Sequence, residues 1–206
     1  MVKVKICGIT NLEDARASVK GGCDALGFVF YKKSSRYITP EKAKEIIRAL
    51  PRNVTKIGVF VNAKEKSIKN IAKLCNLDIL QFHGNETPEF CAKFNGYKII
   101  KAFRIKDKID LSKILKYKTF AYLFDAFAKS KFGGTGKRFN WDLLKYLEDI
   151  KQPIFISGGL TEKNVRKAIE SAHPEWVDVS SSLEIGPGKK DRKKVKKFIQ
   201  EARGKV

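Results

Sequence analysis

From one end to the other the chain alternates between two patterns. Short apolar runs rich in β-branched and aromatic residues read as strands: Val2–Cys7, Ala25–Phe30, Lys56–Val61, Ile79–His83, Lys98–Phe103, Ala121–Asp125, Ile154–Ser157 and Val177–Ser180. Between them, apolar residues recur at the three- and four-residue spacing of one helix face. Ala43, Ile46, Ile47 and Leu50 form one such stripe, Val165, Ala168, Ile169 and Ala172 another, and Val195, Phe198, Ile199 and Ala202 a third. Thr39-Pro40 and Thr87-Pro88 mark helix starts, a capping hydroxyl before a proline whose missing N–H costs nothing in the first turn. The weakest helix is the short one expected around Asp110–Lys116.

Eight strand-then-helix units in 206 residues predict an α/β fold, a single-domain (β/α)8 TIM barrel covering residues 1–206. A doubly wound open sheet is the alternative, but no G-x-G-x-x-G follows the first strand. In a barrel the active site lies at the C-terminal ends of the strands. The residues to inspect there are Cys7, Arg36, Gln81, His83, Arg104, Asp125, Ser157, Gly158, Gly159 and the run from Asp178 to Ser182. Gly158-Gly159 follows the seventh strand and precedes a helix, so backbone N–H groups can approach an anion closely. Ser180 and Ser181 follow the eighth strand, and together the two loops match the phosphate site of such barrels. Gly133-Gly134-Thr135-Gly136-Lys137 lacks the spacing of a nucleotide-binding phosphate loop and reads as a loop over the site.

Cys7 and Asp125 end the first and sixth strands and form a candidate acid/base pair across the barrel mouth. A basic or helix-dipole environment lowers a thiol's pKa, and burial keeps a carboxylic acid protonated. His83 is open to three readings, an acid/base group, a substrate contact or a satisfied strand-end histidine, and contact is preferred. Asp178 either orients a substrate amine or pairs with a neighbouring base. Cys23, Cys75 and Cys91 read as small buried hydrophobes.

Composition adds a constraint and a puzzle. Four scattered cysteines without C-x-x-C spacing, and an opening that runs straight into a strand, predict a cytoplasmic protein without disulfides. With His83 and His173 the only histidines, no metal site is expected, and no apolar run is long enough for a membrane span. The puzzle is a net charge of +21 from 43 basic and 22 acidic residues, densest at Lys189, Lys190, Arg192, Lys193, Lys194, Lys196 and Lys197. It reads as a solvated basic face. An RNA-binding protein is the rival from another class, but basic residues spread over many helices predict only weak, nonspecific nucleic-acid binding. A homodimer is compatible with the sequence.

The residues also resemble one family. Lys5-Ile6-Cys7-Gly8-Ile9-Thr10 is similar to the opening of phosphoribosylanthranilate isomerases. So are Leu26–Phe30 with Ser34-Ser35-Arg36-Tyr37, Gly58–Val61, Gln81-Phe82-His83-Gly84, Phe124-Asp125-Ala126, and Gly133–Lys137 with Phe139 and Trp141. Ser157–Leu160, Asn164-Val165, Asp178–Ser181, Glu184 and Pro187–Asp191 complete the series over nearly the whole chain. The resemblance implies a cofactor- and metal-free barrel that acts on a small phosphorylated substrate in tryptophan biosynthesis. Its reaction is the Amadori rearrangement of N-(5′-phosphoribosyl)anthranilate. By that likeness Asp125 is the general acid, Cys7 the general base, Arg36 and Asp178 anthranilate contacts, and Gly158, Gly159, Ser180 and Ser181 the phosphate site, with Gln81 and His83 on the substrate. One departure stands out: Ser182 occupies a position commonly glycine, so a left-handed backbone there would be strained unless the loop has adjusted. Another phosphosugar barrel, such as a relative of indole-glycerol-phosphate synthases, is the nearest rival.

Overall fold

The structure is a computed structural model that describes residues 1–126, 140, 141, 143, 147 and 150–204. Eight parallel strands run in sequence order and close on themselves: β1 (Lys3–Cys7), β2 (Ala25–Val29), β3 (Thr55–Phe60), β4 (Ile79–Phe82), β5 (Lys98–Ile105), β6 (Ala121–Ala126), β7 (Ile154–Ile156) and β8 (Trp176–Val179). Closure is made by β1 against β8, which sets Lys5 directly opposite Asp178. The barrel replaces the open-sheet alternative, and every strand lies within two residues of its predicted bounds.

Outside the strands lie α1 (Leu12–Gly21), α2 (Pro40–Arg48), α3 (Glu65–Cys75), α4 (Pro88–Ala92), α5 (Leu111–Ile114), α6 (Val165–Ala172) and α7 (Arg192–Ala202). The two Thr-Pro starts cap as expected, Thr39 accepting from the Lys42 N–H and Thr87 from the Phe90 N–H. The weakest predicted helix is the shortest, a single turn capped by Asp110. The Gly133–Lys137 loop and Phe139 lie outside the described residues.

Two apolar layers hold this architecture. The larger lies between strands and helices and takes the buried members of all three predicted stripes, including Ile46, Val165 and Phe198. The smaller fills the barrel itself with Ala25, Ile57, Ile79, Ile100, Leu123, Phe155 and Trp176, the last two stacked at 4.8 Å. That plug closes the lower barrel, and the polar residues of the strand ends sit above it.

Between β8 and α7 the chain adds a feature the periodicity did not predict. A 3-10 turn over Ser181–Leu183 leads into a hairpin of β9 (Glu184–Gly186) and β10 (Lys189–Lys190). Its consequence is a correction: Lys190, counted above with the solvated basic face, is 3% exposed and points into the molecule.

Candidate active site

Alternation along a strand puts residues two apart on one face. Lys5 and Cys7 therefore both face the barrel interior, and the closure of β1 on β8 brings Asp178 to the same place. The Lys5 ammonium, fully buried, lies 2.7 Å from Asp178 Oδ1. Of the two roles left open for Asp178, pairing with a base is thus occupied, while its Oδ2 lies 3.3 Å from the Ser157 hydroxyl. Gly27, on β2, completes this corner by having no side chain. A Cβ there would lie 2.7 Å from Cys7 Sγ, closer than packed atoms allow, and a tight 3.1 Å from Lys5 Cε.

Burial pushes the Cys7 thiol up from its ordinary pKa, and the Asp178 charge adds to that, while Lys5 and Lys190 pull it back. Burial would lower Lys5, but the charges and hydrogen bonds of Asp178 and Cys7 together outweigh it and raise the ammonium.

Above Cys7 lies a second set of charges. Arg36, in the loop after β2, donates to Glu184 from Nε at 2.8 Å and from Nη2 at 2.7 Å, the two-pronged geometry that suits guanidinium and carboxylate. Lys190 reaches the same carboxylate at 2.8 Å and donates to the Cys7 carbonyl at 2.6 Å and the Ser180 carbonyl at 3.2 Å. Burial alone would raise Glu184, yet the hydrogen bonds and charges of Arg36 and Lys190 hold its carboxyl below the usual range. For Lys190 burial dominates and lowers the ammonium despite Glu184.

Across the mouth, β4 and β6 bring together Gln81, His83 and Asp125. Gln81 Nε2 is 2.9 Å from His83 Nδ1, and His83 Nε2 is 3.2 Å from Asp125 Oδ2. Asp125 Oδ1 accepts from the Ala126 N–H at 2.9 Å. Arg104 is beside Asp125 in the register of β5 on β6, with its guanidinium 3.4 Å from Asn85 Oδ1.

The loops after β7 and β8 adjoin the two walls. Gly158 and Gly159 both take the left-handed backbone (φ +84° and +65°) that glycine adopts without strain. A Cβ on Gly158 would lie 2.6 Å from the Ala126 nitrogen and 2.8 Å from Asp125 Oδ1. Ser182 resolves the departure noted in the sequence: it sits in the 3-10 turn, is not among the residues of positive φ, and its hydroxyl donates to the Leu160 carbonyl. The loop has adjusted, and the serine ties the two loops together.

A cleft enclosing about 560 Å³, its open mouth included, is lined by Cys7, Arg36, Gln81, His83, Asp125 and Asp178. A smaller one of about 300 Å³ adjoins it, lined by Gly158, Gly159, Ser180, Ser181 and Ser182. All ten predicted site residues thus line two adjoining hollows. A wider groove at the opposite rim, past Lys3, Phe120 and Trp176, holds none of them. Sequence reasoning missed three residues. Lys5 was legible as a charge in an apolar strand two positions before Cys7, whereas Glu184 and Lys190, though within the motifs that carry the resemblance, reach the site only through the hairpin.

Comparison with known proteins agrees with the fold. The family of N-(5′-phosphoribosyl)anthranilate (PRA) isomerases matches residues 4–201. An N-(5′-phosphoribosyl)anthranilate isomerase of Geobacter sulfurreducens is 47% identical over 99% of this chain and 100% of its own. A solved phosphoribosyl anthranilate isomerase in complex with reduced 1-(o-carboxyphenylamino)-1-deoxyribulose 5-phosphate is 44% identical, with a TM-score of 0.90 over 99% of this chain and 100% of that one. Monomers derived from the dimeric enzyme of Thermotoga maritima are 43% identical, with a TM-score of 0.90 over 99% and 100% of the two chains. On fold, sequence and extent of match, this chain belongs to the N-(5′-phosphoribosyl)anthranilate isomerase family.

Proposed function

We propose that Asp125 and Cys7 are the acid and base with which this chain converts N-(5′-phosphoribosyl)anthranilate to 1-(2-carboxyphenylamino)-1-deoxyribulose 5-phosphate in tryptophan biosynthesis. The observation that carries the reading is that the two residues, from β1 and β6, line one cleft beside the two loops suited to a phosphate. Asp125 gives a proton to the ribose ring oxygen, the C1′–O bond breaks, and the nitrogen lone pair forms the Schiff base. Cys7, as thiolate, takes the C2′ proton, and the C–H electron pair moves to give the enolamine, which tautomerises to the ketone. A positioned acid or base of this kind contributes ~10²–10⁴-fold in rate.

The remaining residues divide the substrate between them. Glu184 engages Nε and Nη2 of Arg36, which leaves Nη1 for the anthranilate carboxylate. Asp178 Oδ2 is available to the anthranilate amine, and Gln81 and His83 wall the ribose side. The Gly158-Gly159 and Ser180-Ser181 loops take the phosphate, aided by amides and hydroxyls. A cytoplasmic homodimer completes the reading. The dimeric Thermotoga maritima relative supports the assembly. No helix among the described residues is long and apolar enough to cross a membrane.

The test is turnover of phosphoribosylanthranilate, followed by loss of its fluorescence, in the wild type, Cys7→Ser and Asp125→Asn. Both variants are expected to stay folded and to lose roughly 10²-fold or more of kcat. A near-wild-type kcat in either removes that residue from the mechanism. Arg36→Ala is expected to raise KM mainly, and an unchanged KM excludes it as a substrate clamp.

A further inference from the structure

The hydrogen bonds around Asp125 pose a question of proton count. A carboxamide nitrogen only donates, so Gln81 Nε2 at 2.9 Å obliges His83 Nδ1 to accept. The single proton of a neutral imidazole then sits on Nε2 and is donated to Asp125 Oδ2, 3.2 Å away. Asp125 is an acceptor in this arrangement, from His83 through one oxygen and from the Ala126 N–H through the other. Both of its oxygens are engaged as acceptors, and no hydrogen bond here turns a proton toward a ring oxygen.

The same cluster contains the means to take up one more proton. Gln81 is 1% exposed, and its Oε1 is a buried acceptor without a hydrogen-bond partner among the described residues. Leaving such an atom unpaired costs about 1–3 kcal/mol, so no hydrogen bond anchors the carboxamide on that side. Rotating the carboxamide by half a turn puts Oε1 where Nε2 was, against His83 Nδ1, and leaves Nε2 in the unpaired position, so each orientation has one unpaired atom and the proton on His83 selects between them. In the turned orientation Nδ1 can carry a proton and donate it. Imidazole and carboxylate together now hold two protons in place of one, as imidazolium and carboxylate or as imidazole and carboxylic acid.

We propose that the acid of this site is the His83–Asp125 pair, with Gln81 as a positioning residue whose carboxamide turns over when the pair is loaded. The proposal rests on the reading of Asp125 as the acid. Asp125 delivers the proton, and the pair falls back to its one-proton state. The proton that Cys7 takes from C2′ balances the one given, so the protein's total is unchanged across the two steps. The charged and titratable groups facing the pair are Arg104 on β5, Cys7 on β1, Asp178 on β8, and Arg36 and Tyr31 from the loop after β2. None of the five is changed in the experiment below.

Nitrogen-15 NMR of the imidazoles reads the two states directly. The chain has two histidines, so His173→Gln assigns both signals. At high pH His83 is expected as the Nε2–H form with Nδ1 bare. Lowering the pH should protonate Nδ1 with the same midpoint as the alkaline limb of the kcat–pH profile. Replacing Gln81 moves that midpoint in either direction. Gln81→Leu removes the acceptor that the loaded form uses in a charge-assisted bond, so His83 and the limb both shift to lower pH. The expected cost is roughly fivefold in kcat on the alkaline side, with KM little changed. Gln81→Glu offers a charged acceptor and shifts both to higher pH. A role confined to shape moves neither limb nor midpoint, and that result overturns the proposal. So does a wild-type His83 that stays in one state while activity falls across the alkaline limb, a result that stands even where both variants fail to fold. Asp125→Asn separates the two readings. If it remains active, Asp125 is not the acid. If it is inactive but leaves the titration of His83 as in the wild type, Asp125 acts alone and the shared proton is excluded.

Discussion

On the β1–β8 side of the cleft, Cys7 stands among formal charges: Lys5 and Asp178 below it, Lys190, Glu184 and Arg36 above. On the β4–β6 side, the groups bonded to Asp125 among the described residues are an imidazole and a main-chain amide, and the next contact outward is a carboxamide. The difference follows from what each wall must do. A thiol that acts as a base must become an anion inside a site whose burial opposes it, and only nearby cations offset that cost. A group that donates needs instead somewhere to keep its proton, and hydrogen bonds that rearrange serve this. One mouth of one barrel thus holds a wall of direct lysine and arginine ion pairs and one whose acid is held by an imidazole, a main-chain amide and a carboxamide, about the same substrate.

The largest effect that would break this contrast is at Lys5. Lys5→Met removes the cation nearest the thiol and leaves Asp178 buried without its partner. Breaking one side of a buried pair costs about 3–5 kcal/mol, and denaturant unfolding should show a loss of that order. The sign with pH is defined: Lys5 is raised in the folded state, so its contribution is complete below its unfolded pKa and is lost only as pH rises through the folded value. Wild type and variant should therefore differ most at neutral pH and converge in strong alkali. In activity, kcat near neutrality is expected to fall at least about tenfold, and the acid limb of the profile to move to higher pH, with KM affected less. An unmoved acid limb would show that Cys7 does without its counter-charge.

A matched pair of glycines gives the next effect. Gly27→Ala drives a methyl against Cys7 Sγ, and Gly158→Ala drives one against Asp125 Oδ1 and the Ala126 nitrogen from a backbone at φ +84°. Displacing a reacting group by about 1 Å costs on the order of 10²-fold, so both should lower kcat by roughly 10- to 100-fold. Iodoacetamide distinguishes the walls. Cys7 alkylation should change in Gly27→Ala and remain as in the wild type in Gly158→Ala. Equal changes in both would mean that the walls move together.

Local pattern made most of this legible. Periods of two and of three to four residues located all eight barrel strands, and the rule that barrel sites lie at strand ends selected Cys7, Gln81, His83 and Asp125. What stayed hidden was pairing. Lys5 and Asp178 are 173 positions apart and meet only because the barrel closes. Lys190 sat in a run of seven basic residues and was indistinguishable from its neighbours until a two-residue strand turned it inward. Ser182 looked strained because the sequence shows a residue type where a glycine is common, and not the 3-10 turn that accommodates it.

The smallest expected effect sharpens the comparison within the charged wall itself. Glu184 bonds to both Arg36 and Lys190, so it connects substrate binding with the main chain of the base. Glu184→Gln keeps the shape and removes the charge, and the two roles then separate in the kinetics. If the carboxylate chiefly holds Arg36 for the anthranilate, KM rises by roughly three- to tenfold while kcat stays within about twofold, because binding that is equal in ground and transition states is lost. If it acts through Lys190, whose ammonium holds the Cys7 carbonyl, kcat falls and KM does not. The bidentate geometry on Arg36 favours the first outcome. The second would extend the charged wall's work on the thiol from Lys5 to the hairpin above it, and would make β9 and β10 part of the base.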